Sequence, residues 1–382
     1  MDFAQTSDEN ELLRATVRSF ALTRLLPEMP RWRTEPFPRE LIRELGDMGL
    51  LGIKIPEEYG GSDGTYASLG IAAEEISRGD FNVSAFVQLS TIAAMLLSRG
   101  DQTLRARWLP AVASGEAIVA FALTEPGVGS DAASLTTTAR PDGDGFVVNG
   151  EKASITFAGS ADACVVFART GGPGARGISM ILVPLDAPGV SRRVYKGAGG
   201  HVTQRGSLFF DDVRVPADHQ IGAEGTGFIG AMEAFDFNRA LIALGCIGAA
   251  SQSLDETIEY AKTRMTFGKP IATREGVAFQ VAEHLALLHA SRLLAYEVLA
   301  LADAGRPHTT EAAMCKWLGP KQSVDAIHAC MLLHGWSGYG TDMPFEQRML
   351  DVIGLEVGDG TPEIMKAVIA REAFGREFTS YK

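Results

Sequence analysis

Residues 118–131 read IVAFALTEPGVGSD, and at this point the sequence changes from a helical pattern to a strand pattern. The segment 118–123 is a short β-branched and aromatic run that ends at a Glu-Pro-Gly turn. Clusters of Gly, Pro and Asp separate it from further runs of this kind at 146–148, 164–167, 178–183 and 208–210. Strands joined by turns, without helices between them, predict an antiparallel β-domain.

The segments on both sides of this region have a helical pattern. Ser7 is placed as an N-cap, with Leu13 and Val17 following at helical spacing, and Pro38 fits the first turn of a second helix. After about residue 227 the sequence returns to long Ala-rich segments that also predict helices. Helices, then strands, then helices predict an α+β fold. The predicted domains are an N-terminal helical domain at 1–117, a middle antiparallel β-domain at 118–226 and a C-terminal helical domain at 227–382.

The chain of 382 residues is acidic, with 35 Lys and Arg residues against 47 Asp and Glu residues and a formal net charge of −12. This charge disfavours nucleic-acid binding, because an acidic surface repels phosphate backbones. The longest continuous apolar runs are far shorter than a membrane-spanning helix requires, so no membrane association is predicted. The N-terminal MDFAQTSDENELL is acidic where a targeting peptide would be basic, which predicts a cytoplasmic protein.

The cysteine and histidine residues favour structural roles. Cys164, Cys246, Cys315 and Cys330 are scattered without a CxxC pair, which predicts buried thiols and neither a disulfide framework nor a zinc site. No H-E-x-x-H motif is present, so no metal site is predicted. His334, in HGWSGYG, does not match the spacing of a hydrolase nucleophile motif and is predicted to be a helix-terminal or core histidine.

Three segments suit ligand binding, and each has a structural alternative. The segment EPGVGSD (125–131) lacks Rossmann spacing; it is either a strand-ending turn or a loop that cradles an anion or a heteroaromatic edge. The basic charge of RMTFGK (264–269) either complements a helix dipole or grips a pyrophosphate. In GDGTPEI (358–364), Asp359 either caps the next helix or approaches a ligand, which the neighbouring glycines permit.

Taken in order along the chain, six segments resemble the motifs of the acyl-CoA dehydrogenase family. They are LTEPGVGSD (123–131), NGEKASIT (149–156), LFFDDVRVP (208–216), RMTFGKPI (264–271), HGWSGYG (334–340) and GDGTPEIMKAVIAR (358–371). The resemblance covers essentially the whole chain and implies a helical N-terminal domain, a middle β-domain and a C-terminal four-helix bundle. It also implies bound FAD, a homotetramer or dimer, an acyl-CoA substrate and an electron-transfer flavoprotein as electron acceptor.

The resemblance implies roles for individual residues. Contacts to the flavin and pyrophosphate fall to Leu123, Thr124, Gly129, Ser130, Ile155 and Thr156, with the Thr156 hydroxyl offered to flavin N5. Contacts to the FAD of a neighbouring subunit fall to Arg264, Thr266, Phe267, Gly335, Trp336 and Gly338, while Thr361 and Glu363 complete the FAD site. Substrate contacts fall to Ser130, Asp236, Arg239 and Gly360. Asp359 lies at the position of the family's catalytic glutamate.

The implied reaction desaturates a thioester: a base removes the α-proton, and the β-hydride goes to flavin N5. Because the α-proton is weakly acidic, the site must stabilise the negative charge that develops on the thioester oxygen. In this family that oxygen accepts hydrogen bonds from a ribityl hydroxyl and from the backbone N–H of the catalytic acid. Gly358 and Gly360 would allow that close approach. A carboxylate shut away from water beside the substrate gains basicity through desolvation.

Three residues depart from the family pattern. Asp359 is one methylene shorter than the usual glutamate, so its carboxylate reaches about 1 Å less far; a misplacement of about 1 Å can cost roughly a hundredfold in rate. Asn238 occupies the position at which some members carry an alternative glutamate. Ser154 stands where the family usually has a Trp beside the flavin, which opens space near the cofactor and is expected to change access for a redox partner.

An aspartate at the base position resembles two branches of the family. One comprises dehydrogenases of cyclic carboxyl-CoA thioesters, and the other is nitroalkane oxidase, which removes a more acidic proton. The string GLEVGDGTPEIMK (354–366), together with Asp236 and Arg239, favours a CoA thioester. A flavin oxidase, a dehydrogenase acting on a carrier-protein-bound acyl chain and a catalytically silent flavoprotein scaffold remain alternatives. Phe86 and Gln88 are candidates for the floor of the acyl pocket.

Overall fold

A computed structural model describes residues 7–378. The α-helices are α1 (Asp8–Phe20), α2 (Arg39–Asp47), α3 (Tyr66–Gly79), α4 (Ser84–Leu97), α5 (Gln102–Ala113), α6 (Gly227–Thr263), α7 (Glu275–Asp303), α8 (Thr309–Leu333), α9 (Trp336–Tyr339), α10 (Phe345–Val357) and α11 (Pro362–Phe374). The strands are β1 (Val119–Ala122), β2 (Thr138–Asp142), β3 (Gly145–Ile155), β4 (Ala163–Arg169), β5 (Ile178–Pro184), β6 (Val190–Val194), β7 (Gly206–Pro216), β8 (Gln220–Ile221), β9 (Met265–Thr266) and β10 (Lys269–Pro270). Helices, then a sheet, then helices follow each other along the chain, which confirms the predicted α+β fold.

The described residues divide into two compact units. The sheet unit comprises residues 34–65 and 85–235, and the helical unit comprises residues 7–33, 66–84 and 236–378. The sheet unit holds all the strands from β1 to β8, together with α2 and α5. The helical unit holds the long C-terminal helices together with α1 and α3.

The sheet unit contains an eight-stranded sheet in the order β6-β7-β3-β2-β4-β5-β8, with β1 alongside β4. Most pairings are antiparallel, as predicted, and β2 and β3 form a hairpin with a two-residue turn at Gly143 and Asp144. Two pairings with β4 are parallel: that of β1, with Val119 opposite Ala163, and the short one of β2, with Thr138 opposite Arg169. A parallel pair needs a long connection, and the loop after β1 together with the β2–β3 hairpin supplies it.

Two strands at the centre of the sheet unit are buried on both faces. β4 is buried at every position except Arg169, and β5 at every position except Pro184. Their continuous apolar sequences, rather than alternating ones, follow from this position. Cys164 on β4 is fully buried, and the other three cysteines are buried free thiols as well, as predicted. Burial raises the pKa of the Cys330 thiol to about 11, so this thiol is unreactive at neutral pH.

The helical unit is organised around α8, which packs against α7, α10 and α11. At the start of this unit, Ser7 accepts a hydrogen bond from the Asn10 N–H at 3.1 Å, which confirms the predicted N-cap of α1. Apolar side chains from several helices fill the core around α8, among them Ile247, Leu288, Ile327, Phe345 and Val352. This arrangement of long helices agrees with the helical C-terminal region that the sequence predicts.

Among the helices of residues 7–378, α7 is long and apolar enough to cross a membrane, judged by length and composition alone. The prediction from continuous apolar runs does not include this helix, because Glu, His and Ser interrupt its apolar residues. A single helix of this kind is a weak indication, since a helix of a water-soluble protein meets the same criteria. In the described chain its exposed side chains include Phe279, Leu285 and Leu293.

Candidate active site

In the sheet unit, the loop after β1 carries the first set of predicted flavin contacts. Glu125 and Val128 exchange two backbone hydrogen bonds of 3.0 Å, which close a tight turn over the residues between them. The predicted strand-ending turn is therefore present. The flavin-contact residues along it differ in exposure: Leu123 is buried, Thr124 is half-buried, and Gly129 and Ser130 are exposed.

A buried ion pair anchors this loop to β3. The fully buried Lys152 ammonium donates to the Glu125 carboxylate and to the Leu123 carbonyl, at 2.9 Å each. Glu125 also accepts hydrogen bonds from the backbone N–H groups of Thr136 at 2.7 Å and Thr137 at 2.8 Å. Burial alone would raise the pKa of Glu125, but the Lys152 charge and the hydrogen bonds from Thr137 and Lys152 lower it to about 2. Burial lowers the pKa of Lys152 to about 8 against the attraction of Glu125, so both groups are charged at neutral pH.

The end of β3 changes register where it meets the loop. Its pairing with β7 shifts between Lys152 and Ile155, and the Ala153 N–H donates to the Thr124 carbonyl at 2.8 Å. Beyond this point Ile155 is buried and Thr156 is half-buried. The shift therefore ties the second set of predicted flavin contacts to the first set within one unit.

Ser154 lies at the register shift and is exposed, with a φ of 57° that is uncommon for a residue other than glycine. Its N–H donates to the Tyr195 hydroxyl at 3.4 Å, and its carbonyl accepts a hydrogen bond from Arg205 at 3.3 Å. At the position of the expected Trp, this chain therefore presents a small side chain bordered by a tyrosine and an arginine.

The glycines of the loop leave room for a ligand. A Cβ atom at Gly127 or Gly129 would meet no described atom within 4 Å, so packing within the chain does not require glycine there. The same loop offers the Thr124 and Ser130 hydroxyls and exposed backbone amides, which are suitable donors for phosphate and for a heteroaromatic edge. These residues fit the flavin and pyrophosphate parts of FAD.

In the helical unit, Asp359 lies on the turn between α10 and α11. Its φ is 56° and that of Gly360 is 108°, and a Cβ atom at Gly360 would lie 2.4 Å from the Met365 side chain. Gly358 ends α10, and the Thr361 side chain caps α11. The alternative in which Asp359 caps the helix is therefore wrong, and the turn presents an exposed carboxylate.

Two buried side chains contact this turn. Asn238 donates from Nδ2 to Asp359 Oδ2 at 3.1 Å and is 3% exposed. Lys316 is 1% exposed and donates to the carbonyls of Leu355 at 2.6 Å and Gly360 at 2.9 Å. Asn238 therefore orients one oxygen of the carboxylate, and Lys316 holds the backbone on both sides of it.

Asp236 and Arg239, the predicted substrate contacts, form an ion pair of 2.8 Å on α6. The Thr309 hydroxyl donates to the other Asp236 oxygen at 2.7 Å. Burial lowers the pKa of Arg239, and the charges of Asp236 and Asp359 oppose this effect. The structure therefore brings Asp236 and Arg239 to the same part of the helical unit as the predicted base, whereas Ser130 lies in the sheet unit.

The residues predicted to reach a neighbouring subunit's FAD lie on exposed elements of the helical unit. β9 and β10 form a hairpin whose turn places Phe267 at 97% exposure, and Trp336 is 85% exposed. Large aromatic side chains at such exposure are typical of binding surfaces. Of the remaining predicted residues in this set, Arg264 and Gly335 are exposed, Thr266 is half-buried and Gly338 is buried, and Glu363 near the Asp359 turn is exposed.

Gly338 and His334 have structural explanations. A Cβ atom at Gly338 would lie 2.2 Å from the Met331 carbonyl, so packing requires glycine there. His334 is buried, with Nδ1 2.9 Å from the Cys330 carbonyl, and its ring stacks on Tyr260. It also ends α8, which confirms the predicted helix-terminal or core histidine.

Phe86 and Gln88, the candidates for the pocket floor, are both buried in the sheet unit. Phe86 stacks on Phe157 with a ring separation of 4.2 Å and borders a small apolar cavity. Other residues that line this cavity are Ile42, Leu51, Leu89, Val112 and Val119. Gln88 is buried but is not among the residues that line this cavity.

The sequence does not predict the burial of three charged side chains: Glu125, Lys152 and Lys316. The first two lie inside recognised motifs, but the pattern does not reveal that they pair. Lys316 stands alone in the apolar run AAMCKWLG (312–319), and an isolated charge in a core helix was the available signal. Within residues 7–378, no group of three or more His, Cys, Asp or Glu side chains is placed to hold a metal ion.

Comparison with protein-family models matches three successive domains along the chain. These are the acyl-CoA dehydrogenase N-terminal domain at residues 7–116, the middle domain at 120–213 and the C-terminal domain at 225–374. Together the three matches span nearly the whole sequence in the order that the resemblance implies.

Individual relatives are similar over almost their full length. Human short-chain specific acyl-CoA dehydrogenase, mitochondrial, is 36% identical over 370 residues, covering 95% of this chain and 89% of the relative. Acryloyl-CoA reductase (NADH) of Anaerotignum propionicum is 36% identical over 382 residues, covering 98% and 97% of the two chains. The structure of butyryl-CoA dehydrogenase from Megasphaera elsdenii matches with a TM-score of 0.93 and 28% identity, covering 97% of this chain and 99% of that one.

Proposed function

Because this chain belongs to the acyl-CoA dehydrogenase family, we propose that it desaturates an acyl-CoA thioester between Cα and Cβ, with Asp359 as the base. The chain is an oxidoreductase acting on CH–CH groups, and family members depend on FAD. The observation that carries the proposed role of Asp359 is its presentation on a strained turn that serves no capping purpose. Such strain is often retained at functional sites.

In this proposal the Asp359 carboxylate takes the α-proton, and the electron pair left on Cα forms the double bond as the β-hydride departs. When bound, FAD supplies the hydride acceptor at flavin N5. Asn238 supports the role of Asp359, because a hydrogen bond to one carboxylate oxygen limits rotation of the side chain. The carboxylate is exposed in the chain alone, so bound ligands would shield it from water.

The residues proposed to hold FAD are described for each unit by itself. In the sheet unit, Thr124, the turn before Ser130, and Thr156 would contact the flavin and pyrophosphate. In the helical unit, Thr361 and Glu363 are proposed as FAD contacts. The exposed set around Phe267 and Trp336 would reach the cofactor of a neighbouring subunit, and its high exposure supports that role.

The substrate is proposed to be a CoA thioester with a cyclic or otherwise unusual acyl group. The ion pair of Asp236 and Arg239 supports a role in holding the CoA portion, because it is preformed near the base. The shorter base supports an unusual acyl group, since the α-carbon must approach about 1 Å closer than for a glutamate. Phe86 is proposed as part of the pocket floor.

The proposed assembly is a homotetramer or dimer that passes electrons to an electron-transfer flavoprotein in the cytoplasm. Exposed apolar side chains on α7 support self-association, because burial against a second copy would remove them from water. The domain boundaries are proposed at 1–117, 118–226 and 227–382, and the family-model matches support them.

An anaerobic titration of the purified protein with acyl-CoAs tests the proposed reaction. Flavin absorbance near 450 nm should fall with one class among straight, branched and cyclic thioesters. Asp359→Asn should retain FAD and bind ligand but fail to bleach the flavin, whereas Asp325→Asn, at a surface ion pair on α8, should behave as wild type.

The outcomes separate the alternatives. Full activity of Asp359→Asn would refute the assignment of the base. If no acyl-CoA bleaches a bound flavin, the same titration with nitroalkanes and with carrier-protein thioesters tests those substrate classes. Rapid reaction of the reduced enzyme with oxygen would indicate an oxidase, and a flavin that no substrate reduces would indicate a silent scaffold.

A further inference from the structure

Lys316 is a buried cation in the middle of α8 whose hydrogen-bond acceptors are backbone carbonyls. It is 1% exposed, and its ammonium donates to Leu355 O at 2.6 Å and to Gly360 O at 2.9 Å. Burying an ammonium costs free energy unless its environment compensates. Burial lowers the pKa of Lys316, and the negative charge of Asp359 opposes this effect. An apolar side chain could fill the same space in the helix core without this cost, so the charge of Lys316 needs a separate explanation.

The two acceptors lie on either side of Asp359. The Leu355 carbonyl belongs to the last turn of α10, where the helix dipole favours a cation. Gly360 directly follows Asp359, and both have positive φ. Such backbone conformations persist only where surrounding interactions determine them. A single ammonium thus joins the two ends of the segment that presents the carboxylate.

We propose that Lys316 is the positioning residue of the catalytic base: its ammonium fixes the backbone on both sides of Asp359. This inference rests on the proposed role of Asp359. A shorter base needs this support more than a glutamate would, because it has fewer side-chain torsions with which to correct a misplaced backbone. An error of about 1 Å is already costly in rate.

Titratable groups from several packed elements determine the local charge. Lys316 itself is faced by Asp359 on the turn, by Arg239 and Cys246 on α6, and by Cys315 on α8. Beyond these neighbours, Glu356 on α10 faces Cys246, and Arg371 on α11 faces Arg239. Burial raises the pKa of the Cys315 thiol to about 12 and also raises that of Cys246, so both thiols are neutral. Neither thiol therefore supplies a charged partner for the Lys316 ammonium.

Two variants separate the backbone contacts of Lys316 from its charge. Lys316→Met removes both, and Lys316→Gln removes the charge but keeps a hydrogen-bond donor. Lys321→Met is the matched control, because this lysine lies on the same helix in a surface pair with Asp325. Flavin content and thermal unfolding show which variants are folded.

Two readouts test the proposal. In stopped-flow reduction of the FAD-loaded enzyme by its acyl-CoA substrate, Lys316→Met should slow flavin reduction roughly a hundredfold. Lys316→Gln should recover much of this rate, because it keeps a hydrogen-bond donor for the backbone carbonyls. Hydrogen exchange over residues 355–361 of the protein without substrate should become roughly tenfold faster in Lys316→Met and not in Lys321→Met.

The two readouts fail independently. A wild-type enzyme that no acyl-CoA reduces would refute the proposed function, but the exchange measurement would still test the backbone contacts. Unchanged exchange over 355–361 in folded Lys316→Met would overturn the positioning role. A wild-type rate of flavin reduction in folded Lys316→Met would overturn the catalytic effect of this positioning. If Lys316→Met does not fold, Lys316→Leu, which also removes the ammonium and both of its contacts, takes its place in the two measurements.

Discussion

Replacing Lys152 with Met tests whether the buried ion pair holds the loop that carries Thr124. The change removes the donor to the Leu123 carbonyl and leaves the Glu125 carboxylate, 5% exposed, without its cation. Removing one partner of a buried ion pair typically costs about 3–5 kcal/mol. The lowering of the Glu125 pKa from 4.5 to about 2 corresponds to about 3 kcal/mol. We expect Lys152→Met to lower the free energy of unfolding by about 3 kcal/mol and to weaken FAD binding.

The pH dependence identifies the origin of this stabilisation. Because the folded-state pKa of Glu125 lies below its unfolded value, its contribution is fully present above about pH 4.5 and is lost as the pH falls towards about 2. The wild type should therefore lose stability over this range more steeply than Lys152→Met, in which the favourable partner is already gone.

Urea unfolding of the FAD-loaded protein at several pH values measures the effect, and flavin fluorescence follows cofactor release. Lys196→Met, at an exposed lysine of the same unit, is the matched control. Because burying Lys152 itself costs free energy, the double variant with Glu125→Gln should be more stable than Lys152→Met alone. A Lys152→Met protein within 1 kcal/mol of wild type, with unchanged FAD affinity, would refute the reasoning.

Two further substitutions test the turn and the assembly. Gly360→Ala, at a φ of 108° and with its Cβ 2.4 Å from Met365, should slow flavin reduction roughly a hundredfold. The control Gly276→Ala, which meets no described atom within 4 Å, should not; equal rates in stopped-flow reduction would contradict the role of the turn. Phe279→Glu on the exposed face of α7 should shift the sedimentation coefficient to that of a smaller species, and an unchanged oligomer would show that this face is not an interface.

The sequence predicts best those elements in which the spacing of apolar residues along the chain indicates which side chains are buried. The helices of the N-terminal and C-terminal regions have apolar periodicity, and the Ser7 cap and the β2–β3 hairpin depend on neighbouring residues. The parallel pairing of β1 with β4 depends on residues far apart in the chain, and alternation of side chains carries no information on strand direction.

The candidate site shows the same division between local and distant contacts. The resemblance locates Asp359, and the structure adds Asn238 and Lys316 from two helices that are distant in sequence. A motif identifies a charged residue but not the atom that its side chain reaches. The partners of Glu125 and Lys316 therefore became known only from the folded chain.

The parallel pairing of β1 with β4 also determines when β1 can find its partner during synthesis of the chain. The apolar strand VAFA has no partner until the β2–β3 hairpin and β4 have left the ribosome, because it pairs with β4. The loop with Thr124 precedes both β3, which anchors it, and β4, which pairs with β1, so assembly of the cofactor site depends on non-local folding steps. A chain interrupted before β4 would expose an unpaired apolar edge, which is a typical starting point for aggregation.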